Sequence, residues 1–215
     1  YEIDTTIKVN KQMQAMMPYY KQVEMEAGRL TNKYFHGKSV YAGSTFNQES
    51  FEFNKNGIRY VCYVDIYNEV NENINIIEVK ATTSSKYVKL QSNHKKSEKF
   101  SIFYFDKNKN CYFLKDEIEG YPLEEEMPLE NYQKQREKLF DRYSDVGSYV
   151  FDLAIQRFIL EGEYRESHNE DKLKNVRYYL AVLNHNYVFD GTYENNKAIY
   201  HPDANDNEIV VFLDL

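Results

Sequence analysis

The chain has 215 residues, of which 42% are hydrophobic and 16% aromatic, and its formal net charge is −7. That length suits one globular domain with a substantial core, and the negative charge argues against a protein that coats nucleic acid nonspecifically. No apolar run approaches the ~20 residues that span a bilayer and no secretory signal opens the chain, so we expect a cytoplasmic protein without a membrane segment. The two cysteines, Cys62 and Cys111, fit buried small hydrophobes and are too few for a cysteine-built zinc or iron–sulfur site.

A helix is predicted over residues 17–35. Pro18 suits its first turn, and apolar residues recur at helical spacing at Tyr20, Val23, Ala27, Leu30 and Tyr34. Glu24, Gly28 and Asn32 lie four residues apart and form a second stripe. Because glycine has no side chain, we expect another element to approach the helix closely at Gly28.

Three strands are predicted next, over 49–54, 58–67 and 74–81. Residues 54–57, Asn-Lys-Asn-Gly, predict a hairpin turn, and 68–73 predict a connecting loop. The three strands would form an antiparallel meander.

Charged residues stand at the ends of two of these predicted strands. Side chains alternate across a strand, so Glu78 and Lys80 share one face, about 6.6 Å apart along the chain, while Val79 points to the other. Asp65 ends the preceding strand among bulky neighbours, where a lone carboxylate is unfavourable unless a metal or a hydrogen-bond donor compensates.

Two acids and a lysine at adjacent strand tips fit a metal-dependent phosphodiester hydrolase. Carboxylate oxygens hold Mg²⁺ or Mn²⁺, and a cation orients the attacking water. The alternative for Glu78 and Lys80 is an exposed ion pair at a strand end. The same acid-x-lysine spacing recurs only at Glu170–Lys172, in a polar stretch that is most simply a solvated loop.

The lysines after this triplet form a basic segment. Between residues 80 and 99 there are six lysines and one acid, whereas residues 116–130 carry seven acids and no base. The lysines are Lys80, Lys86, Lys89, Lys95, Lys96 and Lys99. Such a segment can neutralise phosphates or be a solvated polar loop, and the sequence leaves both interpretations open.

The rest of the chain alternates helices and strands. We predict a hairpin from strands 100–105 and 111–114, helices over 130–143 and 146–160 with the second ending near Gly162, and strands over 176–184, 187–190 and 208–215. Residues 86–130 look like an insertion with hairpin and helical parts. The order predicts an α/β fold with a mixed β-sheet flanked by helices, in a single domain over residues 1–215. Because the chain begins at Tyr1 and is strand-like to its last residue, we expect a fragment of a longer polypeptide with additional domains.

One stripe of the helix predicted over 146–160 is polar. Ser148, Asp152 and Gln156 follow one another at intervals of four, so they lie on one face. A glutamine there can hydrogen-bond a metal-bound water or a phosphate if the helix packs over the strand ends. The alternative is a solvated polar face.

Five segments in this order resemble the RecB-like branch of the PD-(D/E)XK nuclease superfamily, including bacterial proteins with a RecB-like nuclease domain. They are Met25–Gly28, Val64-Asp65, Ile76–Thr83, Phe151–Leu160 and Tyr179–Gly191. The match spans the chain from about residue 17 to the end, apart from the insertion at about 86–130. It implies a restriction-endonuclease-like core and a metal-dependent nuclease acting on nucleic acid, in particular DNA.

The resemblance also implies a role for each site residue. Asp65 and Glu78 would bind Mg²⁺ or Mn²⁺ together with the backbone carbonyl of Val79. Lys80 would activate or position the water, and Gln156 would be the helix glutamine of the RecB branch. Those of its relatives that carry an iron–sulfur cluster use four cysteines, which are absent here, so that cofactor is not expected.

Other positions depart from the family pattern or extend it. Many relatives have a histidine four residues after the helix glycine, where this chain has Asn32, and a tyrosine three residues after the glutamine, where it has Ile159. Glu24 is a candidate for a further metal ligand, and it also fits an acid on the helix surface.

We therefore expect a nuclease that hydrolyses phosphodiester bonds of DNA and leaves a 3′-hydroxyl. The first alternative is a catalytically impaired nuclease-like module that binds nucleic acid or protein in a larger assembly. The second is a Tyr- and Asn-rich interaction domain with no nucleic-acid role.

Overall fold

The computed structural model describes residues 11–41, 48–94 and 98–215. The helices are α1 (Lys11–Tyr34), α2 (Ser85–Val88), α3 (Leu123–Glu126), α4 (Leu129–Phe140) and α5 (Gly147–Glu166). The strands are β1 (Lys38–Tyr41), β2 (Ser50–Lys55), β3 (Ile58–Tyr63), β4 (Ile66–Val70), β5 (Asn73–Thr83), β6 (Gln91–His94), β7 (Glu98–Ser101), β8 (Phe103–Asp106), β9 (Cys111–Leu114), β10 (Val176–Leu183), β11 (Tyr193–Glu194), β12 (Lys197–Ala198) and β13 (Val210–Asp214). Short 3₁₀ turns cover Lys115–Glu117 and Glu170–Asn175.

Seven strands form the central sheet, in the order β1-β4-β5-β10-β13-β9-β8. β5 pairs with β10 in parallel and β13 pairs with β9 in parallel, while the other neighbours are antiparallel. The prediction of an α/β fold with a mixed sheet flanked by helices is confirmed.

The two faces of the sheet have separate apolar cores. Ile77 belongs to the core under α1, with Ala27 and Leu30 of that helix. Ile76, its neighbour in β5, belongs to the core under α5, with Leu153. The strand alternation predicted for β5 is therefore confirmed, and it sends Glu78 and Lys80 toward α5 and Val79 toward α1.

The predicted strand over 58–67 is wrong as one element, because it is two strands in two different sheets. β3 pairs with β2 in a separate two-stranded ribbon, and β4 pairs with β1 and β5 in the central sheet. The chain changes sheet at Val64 and Asp65. Val64 and Ile66, which strict alternation places on one face, consequently lie in different cores.

The predicted loop over 68–73 is also wrong, since Asn68 to Val70 continue β4 and Asn73 begins β5. Val70 pairs with Asn73, which leaves a two-residue turn. Asn71 has a φ of 56° in that turn, a left-handed conformation that asparagine tolerates better than most residues.

Other elements also differ from the prediction. α1 begins at Lys11 rather than near residue 17. α5 continues through Gly162 because that glycine packs against the Phe53 ring, where an added Cβ would lie 2.6 Å from ring atoms. The strand predicted over 187–190 is absent, and those residues belong to a loop.

The segment at about 86–130 extends the central sheet. The predicted hairpin is present as β8 and β9, and β9 adds to β13. The proposed strand over 100–105 is divided between β7, which pairs with β6 in a small ribbon, and β8. Lys95 and Lys96 of the basic segment lie outside the described residues. None of the helices in the described ranges is long and apolar enough to cross a bilayer.

Candidate functional site

A pocket of about 410 Å³ opens where β5 passes beyond the end of β4. Helix α1 forms one wall and the start of α5 the other. The lining residues are Tyr20, Val23, Glu24, Asp65, Glu78, Val79, Lys80, Ala81 and Tyr149. Four of the predicted site residues from the β-strand region, Asp65 and Glu78 to Lys80, thus meet in one place together with Glu24.

Glu78 is almost fully buried, at 8% exposure, and both of its carboxylate oxygens have partners. The Gln156 side chain donates from Nε2 to Oε2 at 2.5 Å, and Lys80 Nζ lies 2.7 Å from Oε1. Gln156, the predicted helix glutamine, therefore lies directly over Glu78. Since Gln156 is 78 residues away in sequence, α5 packing on the sheet creates this contact.

Lys80 sits between two carboxylates. Besides Glu78, its ammonium lies 2.8 Å from Asp152 Oδ2 on α5. Burial acts to lower the pKa of Lys80, but Glu78 and Asp152 outweigh it and raise that pKa above its ordinary value. The ammonium also lies 5.7 Å from the centre of the Tyr149 ring. Lys80 is therefore held as a cation in a fixed place.

Asp65 stands at the break between β3 and β4. Its Oδ2 accepts a hydrogen bond from the backbone N–H of Val79 at 2.8 Å, and Gln48 reaches Oδ1 at 3.5 Å. Burial and the neighbouring charge of Glu78 raise the pKa of Asp65 well above its ordinary value, with a smaller contribution from Glu24. No lysine or arginine among the described residues forms an ion pair with Asp65.

Glu24 faces the pocket from α1. Burial raises its pKa, Lys21 opposes that shift, and the charge of Glu78 adds to it. Its Oε1 is buried without a hydrogen-bond partner in the described part of the chain, and the same holds for Oε1 of Gln156. Two orphaned oxygens beside converging carboxylates are what a bound cation and its waters would satisfy.

The backbone of Val79 contributes to the same edge of the sheet. In a strand, the N–H and the C=O of one residue point to the same side. Since the Val79 N–H donates to Asp65, its carbonyl is directed toward the Asp65 side as well. The oxygens of Asp65, Glu78, Glu24 and the Val79 carbonyl are all hard ligands, so the donor set fits Mg²⁺ or Mn²⁺.

These carboxylates surround open space rather than a closed cage. No three His, Cys, Asp or Glu side chains in the described ranges are grouped tightly enough to form a ready-made metal site. Mg²⁺ seldom uses such cages, because it keeps several waters and is bound by one or two carboxylates and the phosphates of its substrate. An open pocket with one acid at the β3–β4 break and another on β5 is compatible with that mode.

Sequence reasoning missed part of the site and misplaced another part. Tyr20 lines the pocket one helical turn before Glu24, and extending the stripe of Glu24 and Gly28 toward the N-terminus would have found it. Asn32, on the same stripe, is exposed and outside the pocket. Ile159 is buried in the core under α5 and so contributes no group to the site. The ion pair of Asp152 with Lys80 has no sequence signal beyond the polar stripe of the helix.

Comparison of the chain with models of protein families, with curated proteins and with solved structures finds no match.

Proposed function

We propose that this chain has a restriction-endonuclease-like core and is a metal-dependent nuclease that hydrolyses phosphodiester bonds of DNA. The observation that carries the proposal is the convergence of Asp65, Glu78 and Lys80 in one pocket beneath Gln156. These residues come from the β3–β4 junction, from β5 and from α5. An exposed ion pair at a strand end would not account for the burial of Glu78.

Electrostatics favours a bound cation in this pocket. Glu24, Asp65 and Glu78 line the pocket and Asp152 pairs with Lys80 beside it, so four carboxylates face two ammonium groups, those of Lys80 and Lys21. The raised pKa values of Asp65 and Glu24 arise from burial and from mutual repulsion, both of which a divalent cation relieves. A DNA phosphate, itself an anion, would approach such a site only with that charge neutralised.

The residues divide the work as follows. Asp65, Glu78 and the Val79 carbonyl would hold Mg²⁺ or Mn²⁺, with Glu24 on the opposite wall. When bound, the ion polarises the phosphate and lowers the pKa of a coordinated water. Lys80 places a fixed positive charge beside Glu78, where it can orient the attacking water and stabilise charge that develops on the phosphate. Gln156 fixes the orientation of the Glu78 carboxylate.

Cleavage of labelled DNA tests the proposal. The purified chain is incubated with Mn²⁺ or Mg²⁺ and with single- or double-stranded DNA, beside Lys80→Ala and the matched Lys134→Ala. Lys134 forms an exposed pair with Glu130 on α4, so it controls for the loss of one positive charge. We expect Lys80→Ala to lose cleavage by about two to three orders of magnitude, since one stabilising charge in a site of this kind contributes ~3–4 kcal/mol. Lys134→Ala should retain it, and equal activity of the three proteins would contradict the assignment.

A second candidate function is a nuclease-like module that binds nucleic acid or protein without cleaving it. Lys80 and Gln156 occupy both oxygens of Glu78, so this carboxylate is satisfied without any metal. Calorimetric titration with Mn²⁺ separates the two candidates. Binding that disappears in Asp65→Ala supports the nuclease, and an absence of binding in the unmodified chain supports the module.

A further inference from the structure

Lys80 has a second carboxylate partner that the proposed reaction does not use. Its Nζ lies 2.7 Å from Glu78 Oε1 and 2.8 Å from Asp152 Oδ2, so the two acids hold one ammonium between them. Glu78 is buried, whereas the Asp152 side chain is 49% exposed. The pair therefore compensates the ammonium of Lys80, whose side chain is 21% exposed, more than the already solvated Asp152.

The Lys80 ammonium contacts a carboxylate oxygen that Glu78 would need in order to coordinate a metal. Glu78 has two oxygens, and Gln156 donates to Oε2 while Lys80 takes Oε1. A divalent cation on Glu78 therefore competes with Lys80 for Oε1, because two positive charges at one oxygen repel each other. If Glu78 were the only acid beside Lys80, the Lys80 side chain would lose its ion-pair partner when a metal bound to Glu78.

We propose that Asp152 is a positioning residue, the second anchor that keeps Lys80 at the site when a divalent cation displaces it from Glu78. The inference rests on the proposed function, since it requires a metal at Glu78. Asp152 and Gln156 are four residues apart on α5, so one face of this helix contacts both Lys80 and Glu78. Gln156 keeps Glu78 in orientation, and Asp152 keeps Lys80 beside it.

The exchange of Lys80 for a metal at Glu78 Oε1 predicts opposite effects on Mn²⁺ affinity for Lys80→Ala and Asp152→Asn. Lys80→Ala removes the competitor for Glu78 Oε1, so Mn²⁺ should bind about threefold to tenfold more tightly. Asp152→Asn leaves Glu78 as the only carboxylate partner of Lys80, so Mn²⁺ should bind about threefold to tenfold more weakly. In the Lys80→Ala background, Asp152→Asn should change the affinity by less than about twofold, because Asp152 acts through Lys80.

Calorimetric titration with Mn²⁺ alone, in ~0.15 M salt to screen the field of distant charges, measures these four affinities. Asp145→Asn serves as the matched control, because Asp145 is an exposed acid that precedes the same helix and loses the same charge. Asp152→Glu keeps the carboxylate and should restore most of the affinity. With DNA present, Asp152→Asn should lower kcat at saturating Mn²⁺, because Lys80 is then no longer held beside the metal.

An unchanged Mn²⁺ affinity in Asp152→Asn overturns the inference, and so does an equal weakening in the Lys80→Ala background, which would mean that Asp152 acts on the metal directly. If the chain cleaves DNA but either of these affinity results is found, the role of Asp152 is contradicted and the proposed nuclease function stands. Mn²⁺ binding with the predicted pattern but without cleavage of any DNA removes the proposed function and leaves the exchange. Absence of Mn²⁺ binding in the unmodified chain removes both.

Discussion

Among the described residues, two pockets contain an acid whose pKa is raised by burial, and they differ in the charges around that acid. The first is the pocket with Asp65 beside β5. The second is a larger cavity of about 590 Å³ over the β13, β9 and β8 side of the sheet, where Asp214 lies among aromatic side chains that include Tyr179. Burial raises the pKa of Asp214 to about 6. Neither a larger cavity nor burial of a carboxylate is therefore sufficient to indicate a cation site.

The difference lies in the neighbours of each acid. Asp214 has Arg177 at 4.0 Å, and Arg177 and Lys109 lower its pKa while Glu117 raises it, so opposite charge offsets only part of the effect of burial. Asp65 has Glu78 and Glu24 instead, both of which raise its pKa. The orphaned oxygens of Glu24 and Gln156 lie at the first site, and no described residue of the second cavity has one. Acids close enough to raise the pKa of one another, more than burial alone, indicate a place for a cation.

The largest expected effect contrasts Asp65→Asn with Asp214→Asn. Each substitution removes one desolvated negative charge and keeps the side-chain shape. We expect Asp65→Asn to reduce DNA cleavage by on the order of 10³-fold, because loss of a metal ligand removes several kcal/mol of transition-state stabilisation. Asp214→Asn should stay within about threefold of the unmodified chain. Initial rates at saturating Mn²⁺ provide the measurement, and similar losses in both variants would erase the distinction between the two pockets.

Stability against pH gives the next largest effect, now at the second cavity. The Asp214 pKa is about 6 in the folded chain against an ordinary value of 3.8, so the folded state holds this proton more tightly than the unfolded state does. The free energy of unfolding that protonated Asp214 contributes is fully present below about pH 4 and is lost as the pH rises to about 6 and above. Asp214→Asn should therefore be more stable than the unmodified chain by about 3 kcal/mol at pH 8 and about half of that at pH 5. Urea unfolding at the two pH values measures the gap, and a gap that is independent of pH would show that Asp214 is not the titrating group.

The smallest effect concerns the helix that forms one wall of the first pocket. Gly28 of α1 lies against the Tyr41 ring, and an added Cβ would be 2.2 Å from it. Gly28→Ala should thus destabilise the fold by about 1–3 kcal/mol through overpacking. The double variant Gly28→Ala with Tyr41→Ala tests the cause, since it should regain part of the loss in urea unfolding. An additive loss would place the strain elsewhere.

Local patterns in the sequence predicted the parts of this fold that depend on neighbouring residues. Alternation in β5 placed Glu78 and Lys80 on one face, and the four-residue spacing on α5 placed Asp152 and Gln156 on another. The close approach at Gly28 is likewise confirmed by the Tyr41 ring. The strand alternation and the helix spacing follow from chain geometry alone, so a sequence is sufficient to find them.

Other features depend on contacts between distant segments. Alternation continues through Val64, Asp65 and Ile66, and it cannot reveal that the chain changes sheets there. A glycine near a helix end suggests a stop, yet α5 runs through Gly162 because Phe53 fills the space beside it. Tyr187 to Asp190 have strand-like composition but pair with no strand in the described part of the chain. Their loop is held by Asp203, whose carboxylate accepts backbone hydrogen bonds, including one from Val188 at 3.1 Å.

The ribbon of β2 and β3 contributes no side chain to the pocket, yet it sets where Asp65 stands. It is fastened to α5 by the Phe53 ring on Gly162 and by the Asn54 N–H, which donates to Glu166 at 3.2 Å. Asp65 follows the ribbon by two residues, so loosening that attachment would displace a proposed metal ligand without altering it. A random screen for inactive variants should therefore recover changes at Phe53 and Gly162, far from any reacting atom. The position of Asp65 in the pocket therefore depends on a ribbon that lies outside it. A redesign that moves the pocket residues into another protein would need the ribbon as well.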